Sequence, residues 1–80
     1  MKRSRYTIIL HPEPEEGGCS ATVPALPGCA TQGETLEEAI SSARDAIVLY
    51  VEDLRANGEP VPEEAAPTQA IIVEVTAEAA

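Results

Sequence analysis

The chain has 80 residues, a net charge of −9 and no Phe or Trp. A chain of this length forms one small domain, over residues 1–80, and with only two Tyr residues its core has to be mainly aliphatic. Only five Lys and Arg residues are present, which argues against the clustered basic surface of most nucleic-acid-binding proteins. An acidic domain instead suits a basic protein partner, although the same charge also keeps a protein soluble. A small core favours self-association into a dimer or higher oligomer.

No apolar run approaches the roughly 20 residues of a membrane span, and no signal peptide is apparent. Two cysteines without an export signal indicate a cytoplasmic protein with reduced thiols. Cys19 and Cys29 lack the C-x-x-C spacing of zinc or redox sites. We therefore expect two small buried thiols, which could be neighbours across the intervening turn. The single histidine, His11, is expected at the surface rather than as a metal ligand or general base. We predict no metal and no cofactor.

Three short strands are predicted in the first part of the chain. Arg5–His11 is rich in β-forming residues that alternate between two faces. The segment 12–18 is an acidic loop rich in Pro and Gly, and Cys19–Val23 alternates again as a second strand. Pro24–Gly28 is predicted to be a turn, and Cys29–Gln32 a third strand. The three strands should form an antiparallel meander.

A long amphipathic helix is predicted between Thr35 and Gly58. Thr35 and Glu38 form a capping-box pattern at its start, and Gly58 is suited to the left-handed conformation that ends a helix. At 100° per residue, eight apolar side chains fall within an arc of about 120°: Leu36, Ala39, Ile40, Ala43, Ile47, Tyr50, Val51 and Leu54. Val48 and Leu49 lie outside this arc. They are either isolated surface aliphatics or a contact with another subunit or partner.

The last predicted strand is Gln69–Thr76, which is strongly aliphatic. The order β-β-β-α-β then predicts an α+β fold with two layers. A right-handed crossover would place the fourth strand parallel to the first, in a four-stranded mixed sheet of order 3-2-1-4 with the helix on one face. The other face, carrying Ile9 and Ile72, would be semi-apolar, and we expect another subunit or partner to cover it.

Several spaced motifs resemble those of one protein family. Residues 23–39 read V-P-A-L-P-G-C-A-T-Q-G-E-T-L-E-E-A, residues 57–62 read N-G-E-P-V-P, and residues 15–18 read E-E-G-G. This combination resembles the HicB-like antitoxins, and the resemblance covers residues 5–76.

The resemblance implies a partial ribonuclease H fold, oligomerisation, and binding to a small basic toxin, HicA, that cleaves messenger RNA. Binding would occlude the active site of the toxin. Glu13, Glu15 and Glu16 are the expected contacts; the alternative is that they are only a solvated hairpin loop. Many family members also carry a C-terminal DNA-binding segment. This sequence ends at Ala80, soon after the fourth predicted strand, so we expect a short form without operator binding by such a segment.

Enzyme activity is not expected. Two-metal phosphodiester hydrolysis in a ribonuclease H fold needs converging carboxylates, one of them in the centre of the first strand, and the first predicted strand contains none. Three alternatives to the antitoxin function remain open. They are a stand-alone oligomeric binding module without a toxin, a hydrolase that uses Glu74, and a DNA-binding oligomer that uses Lys2, Arg3 and Arg5.

Overall fold

The fold is described by a computed structural model for residues 4–64, 66 and 68–77. Its elements in chain order are β1 (Ile9–Pro12), β2 (Cys19–Thr22), β3 (Ala30–Gly33) and α1 (Leu36–Ala56). The strands form an antiparallel sheet of order β1-β2-β3. The prediction of an α+β fold, with a three-stranded meander followed by one helix, is confirmed.

Both ends of α1 are set by local sequence signals. Thr35 is the N-cap, and its hydroxyl accepts a hydrogen bond from the Glu38 amide at 3.0 Å. Asn57 is the C-cap, with its side-chain amide donating to the Asp53 carbonyl at 3.0 Å. Gly58 follows with a φ of 69°, a left-handed conformation that glycine adopts at little cost. The predicted helix ends are therefore confirmed.

The helix packs on one face of the sheet through small side chains. The strand register places Leu10, Ala21 and Thr31 side by side on one face. Here Cys19 and Ala21 of β2 form a buried cluster with Ala39 and Ala43 of α1. Because these side chains are short, the helix backbone approaches the sheet closely.

A second buried cluster is built on the turn between β2 and β3. The Val23 amide donates to the Cys29 carbonyl at 3.0 Å. Inside this turn the Leu26 amide donates to the Val23 carbonyl and the Cys29 amide to the Leu26 carbonyl, also at 3.0 Å. Leu26 is 0% exposed. The hydroxyl of Tyr50 donates to the Pro27 carbonyl at 2.8 Å, and this hydrogen bond connects α1 to the turn. The predicted turn is confirmed, and its leucine is the largest fully buried side chain among the described residues.

The predicted apolar arc of the helix is correct except at its start. Ala39 and Ala43 are buried, and Ile40, Ile47, Tyr50, Val51 and Leu54 are half-buried. Leu36, however, is 50% exposed. A Cβ atom on Gly33 would lie 2.6 Å from the Ala39 nitrogen, so the end of β3 lies directly under Ala39. The first turn, with Leu36, lies beyond that contact.

The predicted four-stranded sheet is not shown by this structure. Residues 68–77 contain no strand, and the sheet has three strands instead of the order 3-2-1-4. The aliphatic side chains of this segment are exposed, and Ile72 is 98% exposed rather than on the sheet face beside Ile9. A strand requires a backbone partner. In the described residues this segment lies on neither edge of the sheet.

The first strand is also shorter than predicted. It begins at Ile9, opposite Thr22. The chain of β2 turns away at Val23 and Pro24, so residues 5–8 have no strand beside them on that side. Their other side is the edge that the fourth strand was predicted to occupy.

Candidate partner-binding surfaces

The β1–β2 hairpin carries the three glutamates that were predicted to contact a partner. Its loop is closed by hydrogen bonds from the Glu13 amide to the Gly18 carbonyl at 3.0 Å and from the Gly17 amide to the Glu13 carbonyl at 2.8 Å. Gly17 and Gly18 have φ values of 76° and 86°, which explains the glycine pair at this turn. Glu13, Glu15 and Glu16 are all exposed, so they are accessible to a partner.

The hairpin, the end of β3 and the start of α1 meet around one open cleft. A Cβ atom on Gly18 would lie 2.9 Å from the Gly33 carbonyl oxygen, and one on Gly33 would clash with the backbone of Glu38 and Ala39. Two glycines thus allow three backbone segments to approach each other. The cleft has a volume of about 520 Å³ and is lined by Glu16, Gly17, Gly18, Gln32, Gly33, Glu34 and Glu38.

The charge of this cleft is entirely negative. Glu16, Glu34 and Glu38 line it, and no basic residue is among the lining residues. Glu38 lies in the first helical turn, where the helix dipole favours a carboxylate. Among the described contacts its carboxylate does not return a hydrogen bond to Thr35, so it is free to meet a ligand. An acidic, open cleft of this kind can receive Lys or Arg side chains.

The cleft differs in part from the site expected from the sequence. Glu16 lines it, whereas Glu13 and Glu15 do not. Glu34 and Glu38 were not predicted as contacts. The signal that could have identified them is the pair Gly33 and Thr35, which together place a helix start tightly against the end of a strand.

The aliphatic residues predicted as contacts are not brought together. Ile9 is half-buried on the sheet face opposite the helix. Val48 and Leu49 are 54% and 67% exposed on α1, and Ile72 lies in the segment 68–77. The rest of the open sheet face carries small or polar side chains: His11, Ser20, Thr22, Ala30 and Gln32. This face is therefore less apolar than expected.

A second groove, of about 400 Å³, lies between the start of the chain and α1. It is mainly aliphatic and aromatic, and its lining residues are Ser4, Tyr6, Ile8, Arg44, Ile47 and Val48. Val48 belongs to this groove, whereas its neighbour Leu49 does not. The sequence pattern gave no indication of the groove, because it forms between two segments that are far apart in the chain.

The two cysteines are buried free thiols, but they are not neighbours. Cys19 pairs with Gly33, whereas the Cys29 carbonyl accepts from the Val23 amide at the other end of β2. The expectation that they could be neighbours across the turn is wrong, because the strand register separates them. Burial raises the pKa of the Cys29 thiol, which disfavours the reactive thiolate.

The other candidate chemical residues do not form a common site. His11 is exposed, and its Nε2 atom lies 3.5 Å from the Thr22 hydroxyl. Glu74 is exposed within the segment 68–77. Arg5 is exposed, and Lys2 and Arg3 lie outside the described residues. In the described part of the chain, no group of three His, Cys, Asp or Glu residues could hold a metal ion.

Among the described helices, none is both long and apolar enough to cross a membrane.

Comparison with known proteins identifies the family. Residues 6–77 match the family described as HicB_like antitoxin of bacterial toxin-antitoxin system. A UPF0150 protein of Synechocystis sp. is 49% identical over 59 residues, which cover 74% of this chain and 73% of that protein. Antitoxin HicB 1 of Photorhabdus laumondii is 39% identical over 62 residues, covering 78% of this chain and 39% of that protein.

The antitoxin HicB of Escherichia coli K12 is similar over a comparable region. It is 36% identical over 58 residues, which cover 72% of this chain and 41% of that protein. The chain thus spans about two fifths of the length of these two relatives that are named as antitoxins. With a family match over nearly all of its length, the chain belongs to the HicB-like antitoxins of bacterial toxin–antitoxin systems.

Proposed function

We propose that the chain is a non-catalytic antitoxin that binds a small basic HicA-type toxin and covers its messenger-RNA-cleaving site. The observation that carries this proposal is the match of residues 6–77 to the HicB-like antitoxin family. Inhibition would be steric and electrostatic, because a bound acidic domain excludes RNA from the toxin. We also propose that the protein acts in the cytoplasm and self-associates.

The acidic cleft is the proposed contact for the toxin. Glu16, Glu34 and Glu38 line it, and Glu13 and Glu15 extend the same charge along the hairpin. A toxin that binds RNA needs Lys and Arg side chains to contact phosphates. Carboxylates that occupy those side chains compete directly with RNA, and the net charge of −9 accelerates the encounter with a basic protein.

The four-stranded ribonuclease H-like sheet also belongs to this proposal. It requires residues 69–76 to pair with the outer edge of β1. Their β-branched composition supports that pairing, as does the absence of a strand on this edge in the described structure.

A second candidate function is a stand-alone oligomeric binding module without a toxin. It is favoured by one observation: the relatives matched over most of their own length, in Synechocystis sp. and in Thermoplasma acidophilum, are named UPF0150 proteins rather than antitoxins. The two candidates differ in what co-purifies with the tagged chain from its own cells. A stoichiometric basic protein of fewer than about 100 residues, the size of a single small domain, supports the antitoxin function. Recovery of the chain alone, as an oligomer, supports the binding module.

Titration calorimetry with the toxin tests the proposed contact. The cleft variant carries Glu16→Gln, Glu34→Gln and Glu38→Gln. Its matched control, with Asp45→Asn, Glu52→Gln and Asp53→Asn, makes the same change in charge at exposed helix positions that do not line the cleft.

We expect the cleft variant to raise the Kd by about tenfold or more, which corresponds to about 1.4 kcal/mol. The control should change the Kd by less than about threefold, because distant exposed charges are screened by salt. Equal effects of the two variants would mean that only net charge matters. No effect of either would place the toxin contact elsewhere on the chain.

A further inference from the structure

The segment 68–77, here called the arm, exposes an unusual amount of aliphatic surface. Ile71, Ile72, Val73 and Val75 are 86%, 98%, 68% and 76% exposed, and Glu74 is the only charged residue of the arm. Single exposed aliphatics are ordinary, but a contiguous exposed apolar stretch indicates an interaction site. In a strand, Ile71, Val73 and Val75 would all lie on one face.

The chain is held firmly just before the arm begins. The Tyr6 hydroxyl donates to the Pro62 carbonyl at 2.7 Å. The Thr7 amide and hydroxyl donate to the two carboxylate oxygens of Glu64 at 2.7 and 2.9 Å. The connection after α1 is therefore fixed beside the start of the chain, and the arm leaves the domain from that point.

The outer edge of β1 is open next to this anchor. β1 lies at the end of the sheet, and residues 4–8 make no backbone–backbone hydrogen bond within the described part of the chain. The groove lined by Tyr6, Ile8, Ile47 and Val48 runs along the same edge. The edge thus offers an apolar groove and backbone groups that no strand pairs, with the Thr7 amide already bonded to the Glu64 carboxylate. Open backbone groups and an apolar groove are the two features that an added strand uses.

The surface area of the chain is too large for a compact monomer. The accessible surface is 6733 Å², whereas a folded monomer of 8.4 kDa exposes about 4600 Å². The excess of roughly 2100 Å² is well above the roughly 800 Å² that each partner buries in a stable interface. The radius of gyration, 16.0 Å, likewise exceeds the roughly 12 Å expected for a compact domain of this length.

We propose that the arm of one copy adds as a strand to the outer edge of β1 in a second copy, and that the two copies exchange arms. Ile71, Val73 and Val75 of each arm lie in the groove of the other copy. Two equivalent contacts around a twofold axis close the assembly and leave neither edge open. This inference rests on the self-association and the strand pairing proposed above, but not on toxin binding, since the surfaces it uses are distinct from the acidic cleft.

A second copy fits this edge better than another protein because of charge. Copies with a net charge of −9 repel each other over most of their surfaces. The arm carries one negative charge, Glu74, whereas the edge and groove carry two basic residues, Arg5 and Arg44, beside the Glu64 carboxylate that is bonded to Thr7. The arm and the edge therefore repel each other less than the other surfaces of two copies do.

Native mass spectrometry of the full chain, without toxin, tests the assembly. We expect a dimer for the wild-type protein. Val73→Asp places a charge in the groove and should give a monomer. The control Leu49→Asp introduces the same charge at an exposed helix position outside the groove and should remain a dimer. A monomeric wild-type protein would overturn the proposal. So would dissociation by Leu49→Asp but not by Val73→Asp, because it would assign the interface to the outer helix face.

Disulfide trapping distinguishes exchange between copies from pairing within one chain. Val48→Cys is combined in turn with Ile71→Cys, Val73→Cys and Val75→Cys, and the oxidised proteins are separated on a non-reducing gel. The native cysteines are buried and do not compete. At least one combination should give a covalent dimer, and the same combinations with Leu49→Cys should not. A covalent link confined to single chains, seen as a faster-migrating monomer, would overturn the exchange.

Discussion

The substitution Leu26→Ala tests whether Leu26 belongs to the core, and Leu36→Ala is its chemically identical control. Leu26 is 0% exposed in the turn between β2 and β3, whereas Leu36, which the helical pattern assigns to the core, is 50% exposed. Leu→Ala at either position removes the same atoms. The two variants therefore differ only in where those atoms lie.

The expected magnitude follows from burial. Removing three buried carbon atoms costs about 2.4 kcal/mol at about 0.8 kcal/mol each, and the remaining cavity brings typical values to about 3–5 kcal/mol. A domain of this size has a free energy of unfolding of about 4–12 kcal/mol. Leu26→Ala should therefore lower the Tm by at least about 12 °C. Leu36→Ala should change the free energy of unfolding by less than about 0.5 kcal/mol.

Urea unfolding followed by circular dichroism measures both variants. All samples need the same protein concentration, since self-association makes stability depend on concentration. The reasoning is refuted if Leu36→Ala costs as much as Leu26→Ala, which would mean that the helix packs through its first turn. It is also refuted if Leu26→Ala costs less than about 1 kcal/mol, which would be typical of a surface residue.

Three further predictions concern the site and its support. Gly33→Ala should lower the free energy of unfolding by about 1–3 kcal/mol in urea titrations, because its Cβ atom would lie 2.6 Å from the Ala39 nitrogen; Gln32→Ala, on the exposed side of the same strand, should have little effect. Thr35→Ala should cost about 1 kcal/mol of unfolding free energy through loss of the N-cap hydrogen bond, and an unchanged urea midpoint would contradict that role. Burial raises the pKa of the Cys29 thiol above its ordinary value of 9.0, so the folded state retains a proton that the unfolded state loses, and the urea midpoint should fall as the pH rises above about 9. Cys29→Ala should reduce that fall, and an identical pH dependence in both proteins would contradict it.

The helix and the hairpin were predictable because their signals are local. Thr35 caps the helix through a residue three positions away, and Gly58 ends it through its own backbone conformation. Gly17 and Gly18 mark the hairpin turn in the same way. Such signals depend only on neighbouring residues, so they can be recognised in the sequence without knowledge of the tertiary structure.

The arm was not predictable from local pattern alone. Its β-branched residues predict a strand, but a strand exists only where another backbone receives it. The alternation of Ile71, Val73 and Val75 does not say whether that backbone belongs to the same chain or to another. Strand propensity is mainly a property of the environment, which explains why the helix ends are confirmed whereas the predicted four-stranded order is not shown by the structure.

The candidate site was predicted in part for a similar reason. Glu16 lies in a run of acidic residues that is evident in the sequence. Glu34 and Glu38 join it only because Gly18 and Gly33 let the hairpin, β3 and α1 approach each other closely. The close approach of three segments is a tertiary property, and it changes an acidic loop into an acidic cleft.

An RNA-cleavage assay with the HicA-type toxin, with and without the chain, tests the central claim most directly. The account predicts that cleavage of a messenger-RNA substrate falls to background as the chain reaches equimolar concentration with the toxin. It also predicts that the cleft variant requires a higher concentration than its matched charge control for the same inhibition. Undiminished cleavage at a large excess of the folded wild-type chain would contradict the antitoxin function and favour the stand-alone binding module.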